Sequence, residues 1–376
     1  MMNTEISALT MPKWGLAMTK AKVVGWLIGE NQEVTPGTPV VDIETEKILS
    51  SLEATTSGVL RRKVAHEGDV VAVGNLLGII ASPTVSDSEL DHFVADFQSH
   101  YIPENSGEQP ADAMTESIDV GGHRICYVRR GDGAATAILL HGFGGDLNTW
   151  MFNHDSLASR YSVYALDLPG HGNSSKRVGA RAFTELAEVL EGFMGCVGVG
   201  SAHVVGHSMG GAVAIEFALR HPERCRSLTL IASAALGPEI DGEYIQAFVS
   251  ATRRNDLKPQ MEKLFADPRL ITRQLVEDTL KRKRLDGAES ALRAIASQLW
   301  QHGGQYVILR EQLAELKMPV LILWGSEDRI LPPSHALNLP RGISAEIFEG
   351  YGHMLHIEAA SRVNTAIASF WRSLEH

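Results

Sequence analysis

Four short segments carry residue types that could do chemistry together. Gly206-His207-Ser208-Met209-Gly210 centres a serine in a G-x-S-x-G pentapeptide, between the apolar run 202–205 and a helix-compatible stretch, 210–220. A strand-to-helix turn of this kind is too tight for neighbouring side chains. Glycines therefore flank it, and the hydroxyl of Ser208 is driven out above the sheet. A serine hydroxyl is a weak nucleophile until a base takes its proton and a third group orients that base. His353, in Gly350-Tyr351-Gly352-His353 after the apolar run 345–348, is the candidate base. Gly325-Ser326-Glu327-Asp328-Arg329 follows the run 320–324 and offers two acids; by its place in the motif Asp328 is expected to hold His353, with Glu327 the competitor. The order serine, acid, histidine suits a parallel-sheet hydrolytic site. His141-Gly142-Phe143-Gly144-Gly145 follows the run 137–140. Its glycines let backbone approach a substrate, so the amides of Phe143 and Met209 are the expected oxyanion donors, typically worth a few kcal/mol each to a transition state.

A fifth segment sits far from these. In Asp42-Ile43-Glu44-Thr45-Glu46-Lys47-Ile48 an apolar run reaches a charged tip that places Lys47 at the apex of a hairpin. In isolation such a tip reads as an ordinary charged turn.

The elements that must position these residues divide in two. Residues 1–80 read as β throughout, with short Val/Ile/Leu runs separated by Pro36-Gly37, Glu67-Gly68-Asp69 and Gly74-Asn75. An echo runs through them at a separation of 37 residues: Glu30 with Glu67, Val34 with Val71, Gly37 with Gly74, Ile43 with Ile80. A repeat of that size in a β segment predicts two matching half-sheets packed face to face. From residue 118 onward, buried strands at 137–140, 163–166, 202–205, 228–231 and 320–324 alternate with helices at 181–194, 210–220 and 362–374. That pattern predicts a mostly parallel sheet with helices on both faces.

Charge separates the parts. Of the formal net charge of −11, residues 1–80 contribute 7 basic and 9 acidic side chains, 118–376 contribute 27 and 28, and 81–117 contribute 8 acidic and none basic. An acidic stretch between two near-neutral ones reads as a connector that extends by self-repulsion. Within it Leu90, Phe93, Val94, Phe97 and Tyr101 fall on one helical face, and Ser86 with Glu89 forms a capping-box pattern. A helix of about three turns is marginal alone in water, so it must dock. The surface is one of this chain's own domains or a partner's, the former slightly preferred. The expected boundaries are 1–81, a connector 82–117 with this helix, and 118–376, with a helical insertion over about 235–311.

With no strongly basic domain, nucleic acid is a poor partner. No apolar run approaches the roughly 18 residues of a membrane span, and 1–20 shows no secretory leader. A cytoplasmic protein with no membrane partner is expected. Cys126, Cys196 and Cys225 form neither CxxC nor a Cys/His cluster, so neither a disulfide framework nor a metal site is expected. Lys281-Arg282-Lys283-Arg284, inside the insertion, reads as a solvated helix face or as a contact to coenzyme A phosphates or to Glu44 and Glu46.

Along nearly their whole length, residues 1–80 resemble the lipoyl domain of 2-oxo-acid dehydrogenase complexes. The resemblance rests on Met11-Pro12-Lys13, on Glu30 with Val34 and Gly37, on Glu44-Thr45-Glu46-Lys47, and on Gly58 with Glu67-Gly68-Asp69. It implies (R)-lipoate in amide linkage on Lys47. A biotin domain would have Met on both sides of that lysine. The family usually has Asp before the lysine, where this chain has Glu46. Residues 118–376 resemble the α/β-hydrolase family, Asp167-Leu168-Pro169-Gly170-His171-Gly172-Asn173-Ser174 matching a further family loop and the insertion matching its cap.

The whole chain resembles the dihydrolipoamide acetyltransferase subunits of acetoin dehydrogenase systems. That resemblance implies acetyl transfer from S-acetyl-dihydrolipoyl-Lys47 to coenzyme A as co-substrate, through Ser208, His353 and Asp328. It also implies thiamine-diphosphate-dependent acetoin dehydrogenase subunits and dihydrolipoamide dehydrogenase as partners, and a homo-oligomer. The HxxxDG motif of pyruvate-type acyltransferases is absent, and 81–117 shows no compact subunit-binding domain. Two other readings use the same residues: a lipoyl-fused hydrolase with water as acceptor, and a lipoyl carrier on a catalytically idle scaffold.

Overall fold

In the computed structural model of the 376-residue chain, residues 6–12, 14, 18–45, 49–101, 115–179, 181–301 and 303–375 are described. The chain divides into two compact units, residues 1–110 with 272–275 and residues 111–271 with 276–376.

The first unit is a sandwich of two four-stranded sheets. Its strands are β1 (Ile6–Thr10), β2 (Lys20–Trp26), β3 (Glu33–Val34), β4 (Pro39–Glu44), β5 (Leu49–Glu53), β6 (Gly58–Lys63), β7 (Val70–Ala72) and β8 (Leu76–Ala81). The sheet orders are β1-β8-β6-β3 and β5-β4-β2-β7. The sequence echo explains them. It relates β2 to β6, β3 to β7 and β4 to β8, leaving β1 to correspond to β5. Exchanging every strand for its counterpart turns one sheet order into the other. Two matching sheets do face each other, but neither is one half of the sequence: each takes two strands from each half. The correspondence extends to backbone conformation. Asn31 (φ 67°) matches Gly68 (φ 92°), and Gly37 (φ 88°) matches Gly74 (φ 79°). Val23, Val41, Ile43, Leu60 and Leu77, all fully buried, fill the space between the sheets.

Glu46, Lys47 and Ile48 lie outside the described residues. The strands on either side of them are paired, Glu44 opposite Leu49. Ile6 opposite Ala81 is the equivalent pair in the other sheet. The Ile6–Ala81 end of the sandwich is therefore the repeat counterpart of the Glu44–Leu49 end.

All six residues of β8, Leu-Leu-Gly-Ile-Ile-Ala, are buried. A strand in a two-layer sandwich has one solvated face, so burial on both faces needs a further cover. Helix α1 (Asp87–His100) supplies it. Leu90, fully buried, packs with Phe93, Val94 and Phe97 on Leu76, Ile79 and Ala81. The capping box is formed: the Ser86 amide donates to Glu89 Oε2 (2.9 Å) and the Glu89 amide to Ser86 Oγ (3.4 Å). Arg61 donates to the carbonyls of Ser82, Pro83 and Val85, and the Tyr101 hydroxyl donates to the Val73 carbonyl (2.9 Å). Residues 82–101, assigned to the connector by their charge, are thus packed on the sandwich. Apolar burial outweighs self-repulsion because Asp87, Glu89, Asp91 and Asp96 all sit on the solvated side. The rest of the connector, 102–114, lies outside the described residues.

The second unit is built on an eight-stranded sheet of order β18-β17-β14-β13-β11-β12-β10-β9. The strands are β9 (Glu116–Val120), β10 (His123–Arg130), β11 (Thr136–Leu140), β12 (Ser162–Leu166), β13 (Ala202–His207), β14 (Cys225–Ile231), β17 (Val320–Gly325) and β18 (Ile343–Phe348). β9 and β10 pair antiparallel and the other strands run parallel. Each strand read from the sequence is present and extends by a residue or more. Around the sheet lie α2 (His154–Ala158), α3 (Ala182–Cys196), α4 (Met209–Arg220), α9 (Leu355–Glu358) and α10 (Ala360–Arg372). Strand order reverses between β12 and β13 on either side of β11, which opens a crevice at the C-terminal strand ends. β14 and β17 are neighbours, yet residues 232–319 lie between them in sequence. This insertion is the cap: α5 (Gly242–Ser250), α6 (Arg254–Glu262), α7 (Arg273–Lys283), α8 (Ala288–Leu299) and a two-strand ribbon, β15 (Trp300–Gln301) with β16 (Gly304–Gln305). Among the described residues no helix is long and apolar enough to cross a membrane, and no cluster of His, Cys, Asp and Glu could hold a metal ion.

Leu90→Ala leaves a cavity under α1 and is expected to cost about 2–4 kcal/mol. Amide hydrogen exchange on the full chain should show lost protection in α1 and β8 and none in β13. Protection of α1 equal to that of the parent chain would show that the helix does not depend on this contact.

Candidate active site

In the second unit, every segment singled out for chemistry emerges at the C-terminal end of a parallel strand. Ser208 follows β13, the Phe143 loop follows β11, Asp167 follows β12, Asp328 follows β17 and His353 follows β18.

Ser208 has φ 52° and ψ −118°, a backbone conformation that a residue with a side chain adopts only when its surroundings impose it. They do so from both sides. The Ser208 amide donates to the Ile231 carbonyl (3.0 Å), and its own carbonyl accepts from the Ala234 amide (3.0 Å). The next residue, Met209, opens α4, so its amide has no acceptor within the helix and the positive end of the helix dipole faces the turn. The oxyanion loop lies directly alongside. A Cβ on Gly142 would stand 3.1 Å from Ser208 Cβ and 2.8 Å from His207 Nδ1, so only glycine lets that backbone pass.

Asp328 and Glu327 differ in setting. Asp328 is buried; its Oδ1 accepts from the amides of Ile330 (2.8 Å) and Leu331 (3.0 Å), and its Oδ2 lies 2.8 Å from His353 Nδ1. Glu327 is exposed. A carboxylate held by two amides cannot swing, so the imidazole it contacts is fixed as the Nδ1–H tautomer. Nε2 is left as the basic nitrogen.

Sequence reasoning missed the scaffold around this pair. His207 Nε2 donates to the His353 carbonyl (3.0 Å), tying the residue before the nucleophile to the base. His141 donates from Nδ1 to the Gly142 carbonyl (2.8 Å) and accepts at Nε2 from the Leu168 amide (3.0 Å). Burial pushes His141 down to about 4 and His207 well below the usual histidine range, so both are neutral near pH 7. His356 packs its ring 4.4 Å from His207 and 4.5 Å from Trp150, with no protein partner for either ring nitrogen among the described residues. Asp146, just past the oxyanion loop, bonds the Asn148 amide and meets Arg282 Nε of the cap at 2.6 Å. This last contact splits the basic run. Arg282 is a strut between α7 and the oxyanion loop, whereas Lys281 pairs with Asp278 on the exposed face.

A sandwich of two four-stranded sheets, followed by a serine elbow backed by a His–Asp pair on a capped parallel sheet, defines a lipoyl-type domain joined to an α/β-hydrolase domain. The comparisons agree. Residues 137–360 match the family model of the alpha/beta hydrolase fold, and residues 7–80 match that of the biotin-requiring enzymes. Two relatives are matched end to end. The dihydrolipoyllysine-residue acetyltransferase component of the acetoin cleaving system of Cupriavidus necator is 43% identical over 97% of this chain and 98% of its own. Its counterpart from Pseudomonas putida is 44% identical over 98% of this chain and 99% of its own. Among solved structures, a meta-cleavage product hydrolase from Pseudomonas fluorescens aligns with TM-score 0.61 and 25% identity, covering 69% of this chain and 97% of its own. The chain belongs to the α/β-hydrolase family and, over its full length, to the family of dihydrolipoyllysine-residue acetyltransferase components of acetoin cleaving systems.

Two predictions follow from this geometry. Asp328→Asn should lower kcat by about 10²–10⁴-fold by releasing the His353 tautomer, while Glu327→Gln should stay within about twofold of the parent, since exposed substitutions are mostly mild. Steady-state kinetics on both variants checks the assignment, and the reverse ranking would overturn it. The second concerns acid stability. Burial depresses His356 to about 3 and His154 to about 3, against 6.5 for an ordinary histidine. Above 6.5 both folded and unfolded chains leave these rings neutral, and their contribution to stability is complete. As pH falls from 6.5 toward 3 the unfolded chain binds protons that the folded chain refuses, so stability drops. In His356→Phe the slope of unfolding free energy against pH over that window should shrink by one proton, measured by denaturant titration at a series of pH values. An unchanged slope would show that His356 is charged in the fold.

Proposed function

We propose that this chain moves an acetyl group from a dihydrolipoyl thioester to coenzyme A. Ser208 is the nucleophile, His353 the base and then the acid, and Asp328 the carboxylate that fixes His353. The Phe143 and Met209 amides are the oxyanion donors. The observation that carries this reading is the Asp328–His353 pair set behind a strained Ser208, in a chain that also bears the lipoyl-type hairpin. On Lys47 the lipoyl group supplies a thiol that carries the acyl group as a thioester.

The chain's own residues would act in two half-reactions. His353 Nε2 takes the Ser208 proton as Oγ attacks the acyl carbonyl, and the Phe143 and Met209 amides hold the oxygen that gains charge. Collapse expels the donor thiolate, which takes the proton from His353. The coenzyme A thiol then gives its proton to His353 and attacks the acyl-serine, and collapse returns the proton to Ser208 Oγ. The buried neutral imidazoles of His141 and His207 keep competing charge away from this relay. Acetoin-cleaving thiamine-diphosphate subunits, dihydrolipoamide dehydrogenase, a homo-oligomeric assembly and a cytoplasmic setting are part of the same reading.

With acetyl-dihydrolipoamide as donor, the lipoylated full-length protein should form acetyl-coenzyme A faster than free acetate. Ser208→Ala should lose about 10³-fold or more of that rate, and mass spectrometry of the quenched parent should find acetyl on Ser208. Acetate as the dominant product would favour water as acceptor. A fully active Ser208→Ala would remove Ser208 from the reaction.

A further inference from the structure

Most cations of the cap are neutralised where they stand. Arg282 meets Asp146, Lys281 meets Asp278 and Arg293 meets Glu289. Lys283 and Arg284 differ. The Lys283 ammonium is half-buried and donates only to the carbonyls of Phe248 and Val249. Arg284 Nη2 donates to the Thr252 carbonyl (3.1 Å). Among the described residues, neither has a carboxylate within ion-pair distance. Burial pushes Lys283 down to about 8, against a smaller upward pull from the Glu289 carboxylate.

Both side chains line a cavity of about 470 Å³ bounded by the end of α5, the end of α7 and the first turn of α8. That volume is within the range of ligand sites. Val249, Leu280 and Leu285 give it apolar walls, and Ser290 a hydroxyl. Of its two carboxylates Glu289 is held by Arg293, which leaves Asp286 against two cations. Phe248 connects the cavity to the reaction centre. Its ring lies under the Lys283 ammonium (4.7 Å to the centroid), packs on Phe143 (5.7 Å) and fills the space beside Gly144. Phe248 thus lies between Lys283, which lines the cavity, and Phe143.

A ligand that suits such a place has a flat apolar part, phosphate groups, and an arm able to pass Phe248. We propose that this cavity binds the phosphorylated nucleotide end of coenzyme A, with Lys283 and Arg284 on phosphate oxygens and the thiol arm directed past Phe248 to Ser208. The proposal deepens the acetyl-transfer reading and rests on it.

The test compares two acceptors, coenzyme A and pantetheine, which has the same thiol arm without the nucleotide. Acetyl-dihydrolipoamide is the donor, and the parent is compared with Arg284→Gln and Ser290→Glu. Ser290 is exposed on the first turn of α8, where a negative charge suits the helix, so Ser290→Glu should fold while repelling phosphate. The parent should prefer coenzyme A. Each variant should raise the KM for coenzyme A on the order of tenfold, as loss of a charge-assisted hydrogen bond implies, and shrink the preference over pantetheine by the same factor. Calorimetry should show adenosine 3′,5′-bisphosphate binding to the parent, weakened in both variants and not displaced by equimolar inorganic phosphate. Acetyl-coenzyme A formed with an undiminished preference in the variants would overturn the cavity alone, as would displacement by inorganic phosphate. Acetate as the only product with both acceptors would overturn the acetyl-transfer reading and this proposal with it.

Discussion

The second unit depends on one strained residue. A serine at φ 52° and ψ −118° does not stay there by its own preference, at a cost on the order of 1–3 kcal/mol. It is held because β13 must turn into α4 within a single residue, and because the surrounding backbone is packed too closely to relax. The Gly210 Cα lies against the carbonyls of Leu140 and His141, leaving no room for a Cβ. Leu140 and His141 lead into the Gly142–Gly145 loop, so the contact that holds the elbow also packs it against that loop.

A second constraint acts on the histidine. His207 is adjacent to Ser208 in sequence and donates to the carbonyl of His353, while Asp328 grips the His353 ring from a loop fixed by two amides. The base is therefore positioned through its backbone from the nucleophile's side and through its ring from the acid's side. His141, His207 and His356 remain neutral and act as hydrogen-bonding and packing elements, leaving the proton relay to His353.

Most of this was legible in the sequence. The strands, the elbow, the oxyanion loop and the order of serine, acid and histidine are local patterns, and local patterns survive in one dimension. The choice between Glu327 and Asp328 rested on motif position; the amides of Ile330 and Leu331 supply its physical reason by burying one carboxylate and leaving the other in water. The docking surface of α1 was left open, although the unbroken apolar run of β8 was the signal: a strand with no polar alternation needs covering on both faces. The basic run 281–284 reads as one feature in sequence but does three things in space. One side chain pairs on the surface, one braces the Gly142–Gly145 loop, and two donate to backbone carbonyls. Charge in a sequence says nothing of the counterion, which comes from segments far along the chain, as Asp146 does for Arg282.

A Ser-His-Asp site can pass its acyl group to water, so such a triad alone does not choose an acceptor. An acyl-serine is discharged by whichever nucleophile is held near it when the donor thiol has left. Water is everywhere, and a thiol can compete only if the protein raises its local concentration. In this chain that concentration has to be created by the cap, since the strand ends are already committed to the nucleophile, the base and the oxyanion loop. The cap is fastened to the oxyanion loop through Arg282 and Asp146, and to Phe143 through Phe248. Acceptor choice would thus reside where a binding event can be felt by the group that stabilises the transition state, and the selectivity of the reaction becomes a property of the insertion rather than of the triad.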